Sequence, residues 1–367
     1  KSKQNRPEQF NYIDLESVKQ GRIINISKVS KDNAPSRAQR IAKKQDIFFQ
    51  TVRPYQQNNF IYNFDVDDVV VSTGYAQFRT INHKYYIFTL LHTYRFLVNV
   101  LLNCTGSNYP AINSTDLSNI EVYITENKLE QEKIGNFFSK LDRQIELEEE
   151  KLELLEQQKR GYMQKIFSQE LKFKDDNGND YPNWKNEKLG DLINEVNERT
   201  TSNNQYVLLS STKNGLLSQE EYFKKQIGSK DSTGYKILRL NQLVLSPQNL
   251  WLGNINFNQR FDIGIVSPSY RIYNLSNQFD INFAKDLLKS PRYIYEYAQA
   301  SEQGASVVRR NLNLELFYSI KISLPSIEEQ RKIGAFLNKL DKLIRKQYNK
   351  IEVLKQRKNG LLQKMFI

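Results

Sequence analysis

At 367 residues, with 39% hydrophobic and 12% aromatic side chains, the chain is too long for one ordinary domain and too apolar to be disordered. A single cysteine, Cys104, excludes an internal disulfide, and with only His83 and His92 beside it a zinc site of nitrogen and sulfur ligands is excluded too. The net charge of +12 points to a polyanionic partner, and the absence of a signal-peptide pattern or a run of about 18 apolar residues leads us to expect a cytoplasmic protein with no membrane contact.

Residues 1–128 read as a first α+β domain. Residues 46–49 and 69–71 have the look of short buried strands between Asx-, Gly- and Pro-rich stretches, and a helical pattern runs over residues 89–102. The loop that follows the first strand carries Gln50, Arg53, Gln56 and Asn58. Amide side chains bond adenine bidentately and arginine bonds guanine bidentately, so these are candidate base readers. Asn, Gln and Pro also simply make turns, which is the plainer reading of the same residues. Lys19, Arg37, Arg40, Lys43 and Lys44 are candidate phosphate clamps, which position a duplex without specifying its sequence.

Residues 129–168 read as a long helix, and residues 327–367 repeat it. Glu130-Gln131-Glu132-Lys133-Ile134-Gly135-Asn136-Phe137 is matched by Glu329-Gln330-Arg331-Lys332-Ile333-Gly334-Ala335-Phe336, without a gap as far as Phe167 and Phe366. Along the match Lys140-Leu141-Asp142 meets Lys339-Leu340-Asp341, and Gly161 meets Gly360. Apolar residues recur at alternating spacings of four and three. They run Ile134, Phe138, Leu141, Ile145, Leu152, Leu155, Tyr162 and Ile166 in one copy, and Ile333, Leu337, Leu340, Ile344, Ile351, Leu354, Leu361 and Met365 in the other. That is a heptad seam, interrupted at matching places by Glu148 and Lys159 and by Gln347 and Lys358. At about 1.5 Å per residue, five heptads make a rod of roughly 50 Å.

The expected pairing of these helices is an antiparallel coiled coil, because the second domain must return its helix to the first. The expected register sets Glu148 on Lys358 and Lys159 on Gln347. It then sets Leu141 on Met365, Ile145 on Leu361, Leu152 on Leu354, Leu155 on Ile351, Tyr162 on Ile344 and Ile166 on Leu340. A slide by one heptad would bury Glu148 or Lys159 against an aliphatic layer with its charge unpaired.

Residues 169–180 form a polar stretch, expected to be a linker, and residues 181–326 a second domain. That domain opens with Tyr181-Pro182-Asn183-Trp184 and Lys188-Leu189-Gly190, which the first lacks, so roughly twenty further residues are expected before Lys1. Trp184 suits a core anchor. Tyr12, Leu15, Ser17, Lys19 and Gly21 correspond to Tyr206, Leu209, Ser211, Lys213 and Gly215, so the repeat extends beyond the helices. Strands are expected at residues 243–245 and 263–266, and helices at 281–288 and 293–300. The loop after the first of these strands supplies Gln248, Asn249, Trp251 and Asn254 as base-reading candidates. Lys213, Arg309 and Arg310 join the phosphate candidates. The positive excess lies mainly in the last helix, which could face DNA, an acidic partner, or the acidic first helix.

No Gly-x-Gly-x-x-Gly cradle and no phosphate-binding Gly-x(4)-Gly-Lys-Ser/Thr loop is present, and there is no Pro-Pro pair of the kind that amino-methyltransferases carry. Glu170-Leu171-Lys172 is the nearest fragment to a nuclease site and has no acidic partner in a strand. Hence no catalytic residue, metal or cofactor is assigned to this chain. Two other readings stay open: a coiled-coil adaptor binding proteins or glycans, and the recognition half of a standalone nuclease.

The doubled Glu-Gln-x-Lys-Ile-Gly-x-Phe…Lys-Leu-Asp block resembles the specificity subunit of type I restriction–modification enzymes. So do the Pro-x-Trp…Leu-Gly opening and Ser323-Leu324-Pro325-Ser326 ahead of the second block. The first domain departs by lacking the Pro-x-Trp opening and by carrying Ile124-Thr125-Glu126 before its helix. The resemblance implies two similar target-recognition domains separated by two long helices, each reading half of a bipartite site in double-stranded DNA. It further implies two docked methyltransferase subunits, added restriction–translocase subunits, and S-adenosylmethionine, ATP and magnesium held by those partners.

Overall fold

The computed structural model describes residues 6–19, 21–66, 68–212, 215–223, 231–303 and 309–366. The chain divides into two compact units, Lys1–Glu150 with Tyr348–Ile367 and Lys151–Gln347.

In the first unit, besides a short pair over Val18–Lys19 and Arg22–Ile23, the strands are β1 (Gln9–Ile13), β2 (Ser27–Ser30), β3 (Ala38–Ile41), β4 (Ile47–Gln50), β5 (Phe60–Ile61), β6 (Val69–Ser72) and β7 (Tyr75–Phe78). Four of them form a mixed sheet of order β2-β1-β6-β3, in which β1 runs parallel to β6; the other three form an antiparallel sheet of order β5-β4-β7. Every residue of β4 is buried, which explains its unbroken apolar run. Phe48 packs with Phe60, Val71 and Tyr75, while Ile47 and Phe49 face Leu90, Phe96 and Val100. Those last residues lie on α1 (Lys84–Leu90) and α2 (Tyr94–Leu102). The single helical pattern expected at residues 89–102 is therefore two helices. Thr93 breaks it, because its hydroxyl accepts from the backbone N–H of Phe96 and caps α2. The long helix α3 (Lys128–Phe167) starts in this unit.

The second unit repeats the plan. Besides a hairpin over Leu209–Thr212 and Gly215–Ser218, its strands are β8 (Lys185–Lys188), β9 (Ile193–Val196), β10 (Lys236–Arg239), β11 (Leu243–Leu245), β12 (Ile255–Phe257), β13 (Ile263–Val266), β14 (Arg271–Leu275), β15 (Ser301–Gln303), β16 (Arg310–Leu312) and β17 (Lys321–Leu324). The central sheet has the order β9-β14-β11-β12. Leu243 and Leu245 of β11 join the large core with Tyr273, Phe283, Leu287 and Tyr293, while Val244 faces Leu209, Leu238 and Val266. Helices α4 (Ile281–Leu287) and α5 (Pro291–Gln299) precede the second long helix, α6 (Ile327–Met365). The stretch at residues 169–180 is folded against the unit and is not a free linker. Leu171 and Phe173 pack on its core, and the Asp175 carboxylate accepts from the backbone N–H groups of Asn177 and Asn179. Trp184 anchors there too, edge-on to Phe283, with its indole N–H donating to Glu329 Oε2 at 3.2 Å.

The repeated Gln and Gly of the helices have the same task in each unit. Gln131 is fully buried; its side-chain oxygen accepts from His83 N and its amide donates to Thr125 O. Gln330, equally buried, accepts from Asp280 N and donates to Gln278 O and Pro325 O. Next to them a Cβ on Gly135 would lie 2.7 Å from Tyr86 N, and one on Gly334 would lie 2.9 Å from Phe283 N. Only glycine lets the domain helices come this close, which justifies a residue that costs about 1 kcal/mol in a helix interior.

Within each unit the two long helices run antiparallel, but the register differs from expectation. In the first unit Asp142 pairs with Lys358 at 2.5 Å, Glu149 with Lys355 at 2.8 Å and Glu148 with Lys350 at 2.5 Å, and Phe138 lies on Phe366. In the second, Lys159 pairs with Asp341 at 2.6 Å, and Tyr162 lies edge-on to Phe336. The expected Glu148–Lys358 and Lys159–Gln347 layers are thus replaced by contacts to α6 residues two to eight positions earlier than expected. Long lysine side chains reach carboxylates flanking the seam, and Lys159 finds a further one, Asp286 of α4, at 2.8 Å. Glu148, Lys159 and Lys358 are therefore all paired, which removes the cost argued against the slide.

Candidate nucleic-acid interface

In the first unit the loop after β4 is held in a strained and defined shape. Arg53 and Gln57 both sit in the left-handed region, at φ 54° and 51°, on either side of a 3-10 turn over Pro54–Gln56. Each such residue costs on the order of 1–2 kcal/mol, and strain of this kind concentrates where a protein binds or reacts. Gln50 holds the loop. Its amide donates to Val52 O and to Gln56 Oε1, both at 2.8 Å, and its oxygen accepts from Asn58 N at 3.1 Å. Asn59, fully buried, accepts from Gln50 N at 2.8 Å. Arg53 N donates to Pro110 O at 2.8 Å, which ties in the 105–111 hairpin beyond α2.

The loop borders a cleft of about 530 Å³ whose lining includes Lys19, Arg37, Gln50, Arg53, Gln56, Asn58 and Tyr109. Six of these seven were picked out from the sequence. Glu16 is the one carboxylate that lines it. Among the described residues none of the Lys19, Arg37 or Arg53 side chains has a carboxylate partner, whereas Arg22, Arg79 and Lys44 do. A cleft in which three cations face one carboxylate, edged with amides, can attract phosphates and bond to base edges.

Not every expected residue is available for that task. Both amide donors of Gln50 are engaged inside the loop, so its place is structural. Arg40 lies half-buried along β3 with its Nε enclosed, and burial lowers its pKa. Lys44 is tied to Asp65 at 2.6 Å, and Lys43 is exposed away from the cleft lining.

In the second unit the corresponding loop is a 3-10 turn over Pro247–Leu252, pinned by the buried Leu250. Gln248 is exposed, and Asn249 and Trp251 are half-buried. Asn254 is withdrawn from the surface. Its oxygen accepts from Ser211 Oγ at 2.6 Å and its amide donates to Ser211 O at 2.9 Å, so it cannot read a base as placed. Arg309 is exposed and Arg310 lies over Trp251. Lys213 falls outside the described residues. Tyr109 was missed from the sequence because it is distant from the loop along the chain and sits on a short hairpin without periodicity.

Among the described residues no group of three or more His, Cys, Asp or Glu side chains could hold a metal ion, and no helix is long and apolar enough to cross a membrane.

Residues 1–157 and 181–355 each match the type I restriction modification DNA specificity domain. Among solved structures, a chain from a study of complex assembly and conformational transition of the type I R-M system is similar over 99% of this chain and 92% of its own. Its TM-score is 0.58 at 18% identity. The S subunit of a type I restriction-modification system from M. genitalium is similar over 98% of this chain and 88% of its own, with a TM-score of 0.53 at 16% identity.

Proposed function

This chain belongs to the type I restriction–modification DNA specificity family, and from that premise we propose that its two units each read one half of a bipartite duplex target through the loops after β4 and β11. The observation that supports this most directly is the first-unit cleft, where Lys19, Arg37 and Arg53 have no carboxylate partner among the described residues and stand beside the amides of Gln56 and Asn58. In this reading Arg53, Gln56 and Asn58 face bases of one half-target, Gln248 and Asn249 face the other, and Lys19, Arg37 and Arg309 neutralise phosphates. The chain works in the cytoplasm as the non-catalytic subunit. Methyltransferase subunits, two of them, dock on its helical region, and restriction–translocase subunits join the assembly. S-adenosylmethionine, ATP and magnesium belong to those partners.

The test is selection of methylated sites from random duplexes by the chain assembled with its methyltransferase. Replacing Arg53 or Gln56 by Ala should relax one position of the first half-target by about 1–3 kcal/mol and leave the second intact. Replacing Gln248 or Asn249 should do the converse. Uniform weakening across all sequences would mean that these residues hold phosphate or fold. An adaptor for proteins or glycans would lack the steep fall of duplex binding with salt that phosphate neutralisation causes.

A further inference from the structure

The two reading loops share a device that residue-by-residue alignment of the repeat conceals. In the first unit the Arg53 guanidinium lies over the Tyr109 ring, its carbon 4.3 Å from the centroid. In the second, Arg310 lies over the Trp251 ring at the same 4.3 Å. The partners have exchanged places. Arg53 belongs to the 3-10 loop after β4, and Tyr109 to the hairpin after α2. In the second unit the ring belongs to the 3-10 loop after β11, and the arginine to β16 of the hairpin after α5. Simple inheritance through duplication would have kept each residue type on its own side. The same stack built from opposite sides indicates that the stack itself is what each unit needs.

Among the described residues, the ring is the one side-chain partner shown for each guanidinium. Neither guanidinium has a carboxylate or carbonyl partner among the described residues, while Arg22, Arg79, Arg239, Arg260 and Arg271 are all bound to carboxylates. A guanidinium held over a ring can keep N–H donors available along its edge, and the ring restrains where they lie. Two parallel donors on a fixed edge match one base-edge pattern in the major groove, the O6 and N7 acceptors of guanine.

We propose that Arg53 and Arg310 are guanine-reading forks, one for each half-target, and that Tyr109 and Trp251 are positioning residues that hold them in plane. This rests on the reading that the loops after β4 and β11 face DNA, and it moves Arg310 from phosphate clamp to base reader. Each half-target then contains at least one G·C pair whose recognition depends on a stacked arginine.

The experiment compares Arg53→Lys, Tyr109→Leu and Tyr109→Phe with the unaltered chain, each assembled with its methyltransferase, by sequencing the duplexes methylated from a random pool. Arg53→Lys keeps the charge and loses the fork, so preference for guanine at one position of the first half-target should fall tenfold or more. The other positions and the salt dependence should not change. Tyr109→Leu should relax that same position and no other, and Tyr109→Phe should restore it, which a merely structural role for the ring would not do. Arg310→Lys, Trp251→Leu and Trp251→Phe should give the mirror result in the second half-target. A half-target without guanine, or an equal loss at every position, overturns the forks. If Arg53→Lys changes no base preference while Gln56→Ala does, the cleft reads DNA and the forks alone are wrong. If neither changes any, the loops are not the reader.

Discussion

Lys159 lies 2.6 Å from Asp341 in the second unit, and the repeat reproduces the pair in the first as Lys358 and Asp142, 2.5 Å apart. The two pairs differ in one respect. Asp286 adds a second carboxylate 2.8 Å from Lys159, with its other oxygen buried and, among the described residues, without a hydrogen-bond partner. Counted from the helix start that Gln131 or Gln330 holds, the matching position in the first unit is Thr89, whose hydroxyl donates to Tyr85 O.

That difference predicts unequal costs. The side chains of Lys159 and Asp286 are 16% and 10% exposed, so Lys159→Met should leave a buried carboxylate without its cation and destabilise the second unit by about 3 kcal/mol. Lys358 and Asp142 are 22% and 38% exposed, so Lys358→Met should cost about 1 kcal/mol or less. Thermal denaturation of both variants decides it. Adding Asp286→Leu to Lys159→Met should recover most of the loss, and equal costs for the two single variants would show that Asp286 is not what sets them apart.

His92 predicts a pH effect confined to the first unit. Its Nδ1–H donates to Phe88 O at 2.8 Å, and Asn59 Nδ2 lies 3.4 Å from its Nε2. Burial, with the nearby Lys358 charge, lowers its pKa to about 4 from an ordinary value of 6.5. Between these values the unfolded chain binds a proton that the folded chain refuses, so stability is full above pH 6.5 and falls as pH drops towards 4. The full difference is about 3 kcal/mol. Urea denaturation at pH 7 and pH 4.5 should show a loss in the unaltered chain that exceeds the loss in His92→Asn. Because Asn59 also accepts from Gln50 N, the same acidification should loosen the reading loop. A His92→Asn variant with the same pH profile as the unaltered chain would rule this origin out.

The purified chain, given S-adenosylmethionine, ATP and magnesium without partner subunits, should neither methylate nor cleave a duplex. Radiolabel transfer and plasmid integrity are the readouts, and any methyl transfer by the chain alone would refute the non-catalytic assignment.

The sequence displayed the duplication, the long helices and the strands of residues 243–245 and 263–266, because periodicity and repetition are local properties of the chain. Side-chain availability is not. Gln50 and Asn254 look like base readers, yet each folds its amide back onto neighbours supplied by the tertiary structure. The coil register was misread for the same reason: a seam considered alone cannot reveal that Asp286 on α4 meets Lys159. Residues 169–180 look like a linker because of their six consecutive Asx and Gly residues, which obscure Leu171 and Phe173 as anchors. Tyr109 had no local signal, and only the stack with Arg53 exposes it.

Glycines repeated along the long helices divide into two kinds, and alanine substitution should separate them by sign. At Gly135 a Cβ would meet the backbone N of Tyr86 at 2.7 Å, and at Gly334 it would meet Phe283 N at 2.9 Å and Asn282 C at 3.0 Å. Backbone atoms cannot swing aside as a side-chain end can. Gly135→Ala and Gly334→Ala should therefore push α1 or α4 off its long helix and cost about 1–3 kcal/mol, as overpacking does. At Gly161 and Gly360 nothing lies within 4 Å of the added carbon. There the helix gains a better former with no steric penalty, so each alanine should stabilise the chain by about 1 kcal/mol. Urea midpoints of the four variants measure this directly: two should fall and two should rise. Loss at Gly161 and Gly360 as well would mean that the helices need glycine for backbone freedom at those points, and that close approach is not the rule governing the repeat.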